Sequence, residues 1–100
     1  MTDVGEALER LRERFVARAA ADLGDLRRWR SDPVAHQKDL LSLLHRLAGA
    51  AGTFGFHRLS EVAAKAEDAL VTDAPDRLAT IAAVVVELQA VSEQAEIPGG

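Results

Sequence analysis

Leu41-Ser42-Leu43-Leu44-His45-Arg46-Leu47-Ala48-Gly49-Ala50-Ala51-Gly52-Thr53-Phe54-Gly55-Phe56 is the stretch that decides how this 100-residue chain is read. An apolar helix carries one histidine in its middle, continues through small residues, and closes in a turn built from glycine and phenylalanine. Glycine inside a helix costs about 1 kcal/mol against alanine, so Gly49 asks for a reason. The reason offered by the sequence is access: something must come close to His45.

Working outward, Ser31-Asp32-Pro33 punctuates the chain before this helix, with Asp32 able to cap and Pro33 suited to the first helical position. Helix two is therefore expected over about 33–51. At about 100° per residue, Gln37, Leu40, Leu41, Leu44, Leu47, Ala48 and Ala51 share one inward arc. His45 falls at the edge of that arc, with Lys38, Ser42, Gly49 and Gly52 on its side of the helix. Upstream, a capping pattern at Asp3 and Glu6 opens helix one, about 4–30. Val4, Leu8, Leu11, Phe15, Ala19, Leu23 and Leu26 are read as its inward face, extended by Trp29. Downstream, helix three is expected over about 57–71, burying Leu59, Val62, Ala63, Ala66 and Leu70. Helix four, about 75–94, turns Leu78, Ile81, Val84, Val85, Leu88 and Val91 inward and ends before Ile97-Pro98-Gly99-Gly100, which cannot continue a helix. Four amphipathic segments with short connections and no strand pattern predict a single all-α domain over 1–100, an antiparallel up-down four-helix bundle.

Composition narrows the function classes. Hydrophobic residues are 48% of the chain and aromatics 4%, so the core must be aliphatic and alanine-rich, which suits close-packed helices. A net charge of −4 argues against a nucleic-acid footprint, which needs a basic face. With no cysteine there is no disulfide, thiolate metal site or thiol nucleophile. The start has neither a basic nor an apolar leader segment, and no uninterrupted apolar run approaches the ~20 residues needed to span a bilayer. The expected form is a cytoplasmic monomer without membrane or nucleic-acid partners.

The chemistry rests on His45. A neutral imidazole is a good nucleophile near neutral pH, and it can accept a phosphoryl group on one ring nitrogen while the other holds the proton. A carboxylate receiving that N–H fixes the tautomer. If helix two packs on helix three, Glu67, beside the Ala63-Ala66-Leu70 stripe, is the candidate orienting group. The plain alternatives are a hydrogen-bonded histidine at a bundle edge and an ordinary boundary carboxylate. A metal site is not expected: His36 and His45 are nine residues apart and point to opposite sides of one helix, and no Glu-x-x-His or His-Glu-x-x-His pattern occurs. No Gly-x-x-x-x-Gly-Lys loop is present, so the chain should not bind ATP or act as a kinase.

His45-Arg46-Leu47-Ala48-Gly49-Ala50-Ala51 resembles the His-x-Leu-Lys-Gly-small-small signature of the histidine phosphotransfer (HPt) domain family. Ala51-Gly52-Thr53-Phe54-Gly55-Phe56 is similar to the turn in the phosphotransfer domain of chemotaxis histidine kinases. The motif match covers roughly Leu40 to Leu70. The resemblance implies a small bundle without a catalytic centre of its own, a phosphoryl carrier rather than an enzyme. Its histidine takes a phosphoryl group from a histidine kinase or a phosphorylated receiver and passes it to the aspartate of a response-regulator receiver domain. His45 takes the phosphorylated position, Gly49 the glycine that leaves room for the phosphoryl group and partner, and Glu67 a carboxylate that contacts the histidine. No cofactor is implied for this chain, since Mg2+ belongs to the receiver. One position departs from the pattern: the family's usual lysine, three residues after the histidine, is Ala48, for which Lys38, Arg46, Arg58, Lys65 or the receiver itself would have to substitute.

The expected partner surface is the strip around His45, comprising Gln37, Lys38, Leu41, Arg46, Ala48, Gly49 and Gly52. The rival from a different class is a non-catalytic HPt-like module that docks kinase or receiver domains and inhibits them; the substitution at Ala48 is the feature that favours it. A domain cut from a larger kinase and a purely structural helical bundle are further alternatives.

Overall fold

A computed structural model describes residues 3–96, and every element within them is helical: α1 (Val4–Trp29), α2 (Gln37–Thr53), α3 (His57–Val71) and α4 (Arg77–Glu96). The expected break at Ile97-Pro98-Gly99-Gly100 lies outside the described residues. Among the described residues there are four helices and no strand, the all-α content expected from the sequence.

Local signals explain the boundaries. Asp3 caps α1 by accepting the Gly5 backbone N–H at 3.1 Å. Asp32 also caps, but one turn early: its carboxylate accepts the Ala35 N–H at 3.3 Å in a turn over 33–36, and α2 starts at Gln37 rather than at Pro33. One device ends both α2 and α3. Gly55 (φ 84°) and Asp73 (φ 52°) take the left-handed position. The next residue then bonds back across the helix end, Phe56 N–H to the Ala51 carbonyl and Ala74 N–H to the Ala69 carbonyl, each at 2.8 Å. Glycine enters that conformation without strain, and aspartate is among the few other residues that tolerate it.

The core is aliphatic. Leu26, Leu40, Leu44, Leu47, Ile81, Val84 and Leu88 are fully buried, each contributing about 1.5–3 kcal/mol relative to exposure. The broadest seam joins α2 to α3, α4 packs against both α1 and α3, and the α1–α2 seam is the least extensive. Phe15 meets Phe54 and Phe56 with ring centroids 5.7 and 5.6 Å apart, closing one end of the core.

Several expected core positions are not core. Val4, Leu8 and Leu11 are exposed because α1, at 26 residues and about 39 Å, continues past the phenylalanine cluster where α2 has already turned back. Leu78 is exposed in the first turn of α4, and Gln37 lies on the surface, its amide donating to the Leu70 carbonyl at 3.3 Å. Conversely Leu43 and Ala69, not expected inside, are buried. No uninterrupted apolar run of bilayer-spanning length occurs, but one helix bears on the membrane expectation. By length and composition alone, Arg77–Ala95 of α4 (19 residues, mean hydropathy 1.2) is apolar enough to cross a bilayer. In the fold its valines, Ile81 and Leu88 line the core, with Val86 the exposed exception.

Candidate functional site

The α2–α3 seam brings His45 and Glu67 together. The His45 Nδ1 lies 3.0 Å from Glu67 Oε2 and 3.4 Å from Oε1. An ionised carboxylate only accepts hydrogen bonds, so in the neutral ring this contact favours the proton on Nδ1 and leaves Nε2 its lone pair. The His45 side chain is 81% exposed and the Glu67 side chain 29% exposed, so the carboxylate lies nearer the bundle and the ring faces solvent. An open nucleophilic nitrogen with a fixed tautomer can attack an electrophilic phosphorus and form an N–P bond.

The ground beside the ring is bare. Gly49 is exposed, and a Cβ built on it meets nothing within 4 Å. Internal packing therefore does not require glycine there. Gly52 differs: its Cβ would lie 3.3 Å from the Ser60 hydroxyl, which donates to the Ala48 carbonyl at 2.7 Å. Here a methyl group would press on a hydroxyl that its own hydrogen bond holds in place, so α2 and α3 approach most easily with glycine. Gly49→Ala should therefore stabilise the protein by about 0.5–1 kcal/mol, or roughly 4–8 °C per kcal/mol in a domain of this size. Gly52→Ala should melt no higher than the parent, and thermal denaturation followed by circular dichroism compares the two.

The remaining strip residues divide by engagement. Lys38 is exposed and Leu41 half-buried against the core, while Ala48 is half-buried with its carbonyl held by Ser60. Arg46, though exposed, is tied to the buried Asp22: its two terminal nitrogens donate to Asp22 Oδ2 and Oδ1 at 3.1 and 3.0 Å. These hydrogen bonds raise the Arg46 pKa above its ordinary value, against the opposing effect of burial. Of the other cations considered as replacements for the lysine at position 48, Arg58 is paired with Glu87 at 2.6 Å. Lys65 lines a groove with Val62, Thr80 and Ala83. Lys38 alone of the four is neither in an ion pair among the described residues nor part of that groove. No group of three or more His, Asp or Glu side chains among the described residues is placed to hold a metal ion.

Two contributors escaped the sequence reading. Asp22 is 3% exposed, and its signal was an acid three residues after Ala19 on an otherwise apolar face. Ser60 had no signal except the small residues it packs against across the seam.

An all-helical domain with an exposed histidine held by a carboxylate of the neighbouring helix has the parts that a phosphoryl carrier built on a bundle would need. The family model described as Hpt domain matches residues 10–95, and the chain belongs to that family, the phosphotransfer modules of two-component signalling that work with histidine kinases and receiver domains. No curated protein and no solved structure matches the chain.

Proposed function

We propose that this chain is a phosphorelay intermediate whose His45 takes a phosphoryl group on Nε2 and passes it to a receiver-domain aspartate. The observation that carries this reading is the 3.0 Å contact with Glu67 made by Nδ1 of a His45 ring that faces solvent. In the uptake step the donor's N–P bond (kinase histidine) or O–P bond (receiver aspartate) breaks, and its electron pair stays with the donor. The Nε2 lone pair forms the new N–P bond. Nε2 has no proton to lose, so positive charge develops on the ring, and Glu67 balances it through the Nδ1–H. In the return step a carboxylate oxygen of the receiver attacks phosphorus and the Nε2–P bond breaks. Mg2+ would enter with the receiver, and this chain would supply no cofactor.

The partner would seat on the strip formed by Gln37, Lys38, Leu41, Ala48, Gly49 and Gly52, with Arg46 at its edge. A shallow surface of this kind suits a transient interface. The up-down antiparallel course is supported by the pairings of Phe15 with Phe54 and Phe56, and of Asp22 with Arg46. A monomer in the cytoplasm, with no nucleic-acid or membrane partner, completes the reading. The second reading, an inhibitory docking module, is favoured by one feature, the absence of a lysine at position 48.

The test is intact-mass and fragment analysis after treatment with a small phosphoramidate, followed by addition of a receiver domain. An acid-labile phosphoryl group on His45 that moves to the receiver is the expected result; a folded protein that never labels would favour the docking module. Glu67→Gln should slow labelling by about tenfold, the lower end of the loss seen when the orienting partner of a metal-bound histidine is removed. An unchanged rate would leave Glu67 as a bystander.

A further inference from the structure

The polar ties that hold α2 in place are shared unevenly between its neighbours. Toward α3 there are three: the Gln37 amide on the Leu70 carbonyl, His45 on Glu67, and the Ser60 hydroxyl on the Ala48 carbonyl. Toward α1, among the described residues, the fork of Arg46 on Asp22 provides the only side-chain hydrogen bonds, across the thinnest seam of the bundle. Asp22 is 3% exposed, and Arg18 also approaches it at 3.6 Å. A carboxylate buried this far must be paired, yet an apolar pair of similar volume would often hold such a seam as well or better. The best-attested use of an ion pair of this kind is to fix register.

Register matters here because Arg46 follows His45 directly. Their side chains leave α2 about 100° apart, one meeting Glu67 on α3 and the other Asp22 on α1. Any roll of α2 about its axis displaces both contacts together. A two-pronged guanidinium–carboxylate contact fixes orientation as well as distance, which a single-point contact does not.

We propose that Asp22 and Arg46 are positioning residues for the phosphoacceptor: their fork sets the roll of α2 and so keeps Nδ1 of His45 on Glu67. The functional half of this inference rests on the reading of His45 as the phosphorylated residue; the geometric half does not, and the test separates them. In the full chain, the double variant Asp22→Leu with Arg46→Met removes both charges together, leaves no unpaired buried ion, and should fold with a melting temperature near that of the parent. In it, nitrogen NMR of the imidazole should show His45 passing from one Nδ1–H tautomer to a mixture of both. Labelling by a small phosphoramidate should slow by about fivefold, as expected when a reacting group loses its fixed placement. A folded double variant with the parental tautomer and the parental labelling rate overturns the proposal. Should that variant fail to fold, Arg46→Lys keeps the charge but loses the fork, and the same two readouts decide. Parent protein that never labels at all would sink the phosphoacceptor reading, and the tautomer comparison would still decide the positioning role.

Discussion

His45→Gln is expected to abolish phosphoryl uptake altogether and leave the fold unchanged. The two halves of that expectation come from the same geometry. The ring is 81% exposed, so removing it gives up little buried surface, and glutamine is a good helix former at the same position. Glutamine also keeps an N–H that can reach Glu67, so the carboxylate is not stranded. What it lacks is a neutral nitrogen lone pair able to attack phosphorus. Intact-mass analysis should show no acid-labile adduct, and the thermal transition should lie within about 0.5 kcal/mol of the parent, the usual range for a surface substitution. A large loss of stability would instead make His45 a structural residue.

Gly49→Arg should separate uptake from transfer. A Cβ added at Gly49, which is exposed, meets nothing within 4 Å, so an arginine can leave the helix there toward solvent, one turn from His45, without disturbing the core. A small phosphoramidate can still reach Nε2 past it. A receiver domain, which must lay a surface against α2, cannot, and transfer should fall by more than about tenfold, the effect of some 1.4 kcal/mol of lost contact. Measuring label on the receiver against time, starting from pre-labelled protein, checks this directly. Transfer at the parental rate would remove the access argument for Gly49.

How much of this was legible beforehand can be judged residue by residue. The Gly55 turn was readable because a glycine after an apolar helix marks its end. The start of α2 was not, because Asp32 and Pro33 carry a cap-and-proline signal that the chain uses for a separate turn. Val4, Leu8 and Leu11 have the spacing of a buried face, but periodicity does not reveal that α1 outruns its neighbours. His45 and Glu67 could be proposed as a pair from their places beside two apolar stripes, and the structure puts them 3.0 Å apart. Asp22 with Arg46 could not be proposed so, since a charged pair 24 positions apart leaves no periodic trace and depends on how two helices face each other.

The exposure of His45 has a consequence for how a signal could travel. A covalent group added to the outer nitrogen of a side chain that is 81% exposed gains few contacts with the rest of the domain beyond the one the ring already makes with Glu67. A modification without differential interaction cannot shift a conformational equilibrium. On the reading proposed above, this chain would therefore carry its message as chemical cargo and not as a change of shape. A partner would learn the domain's state by receiving the group itself.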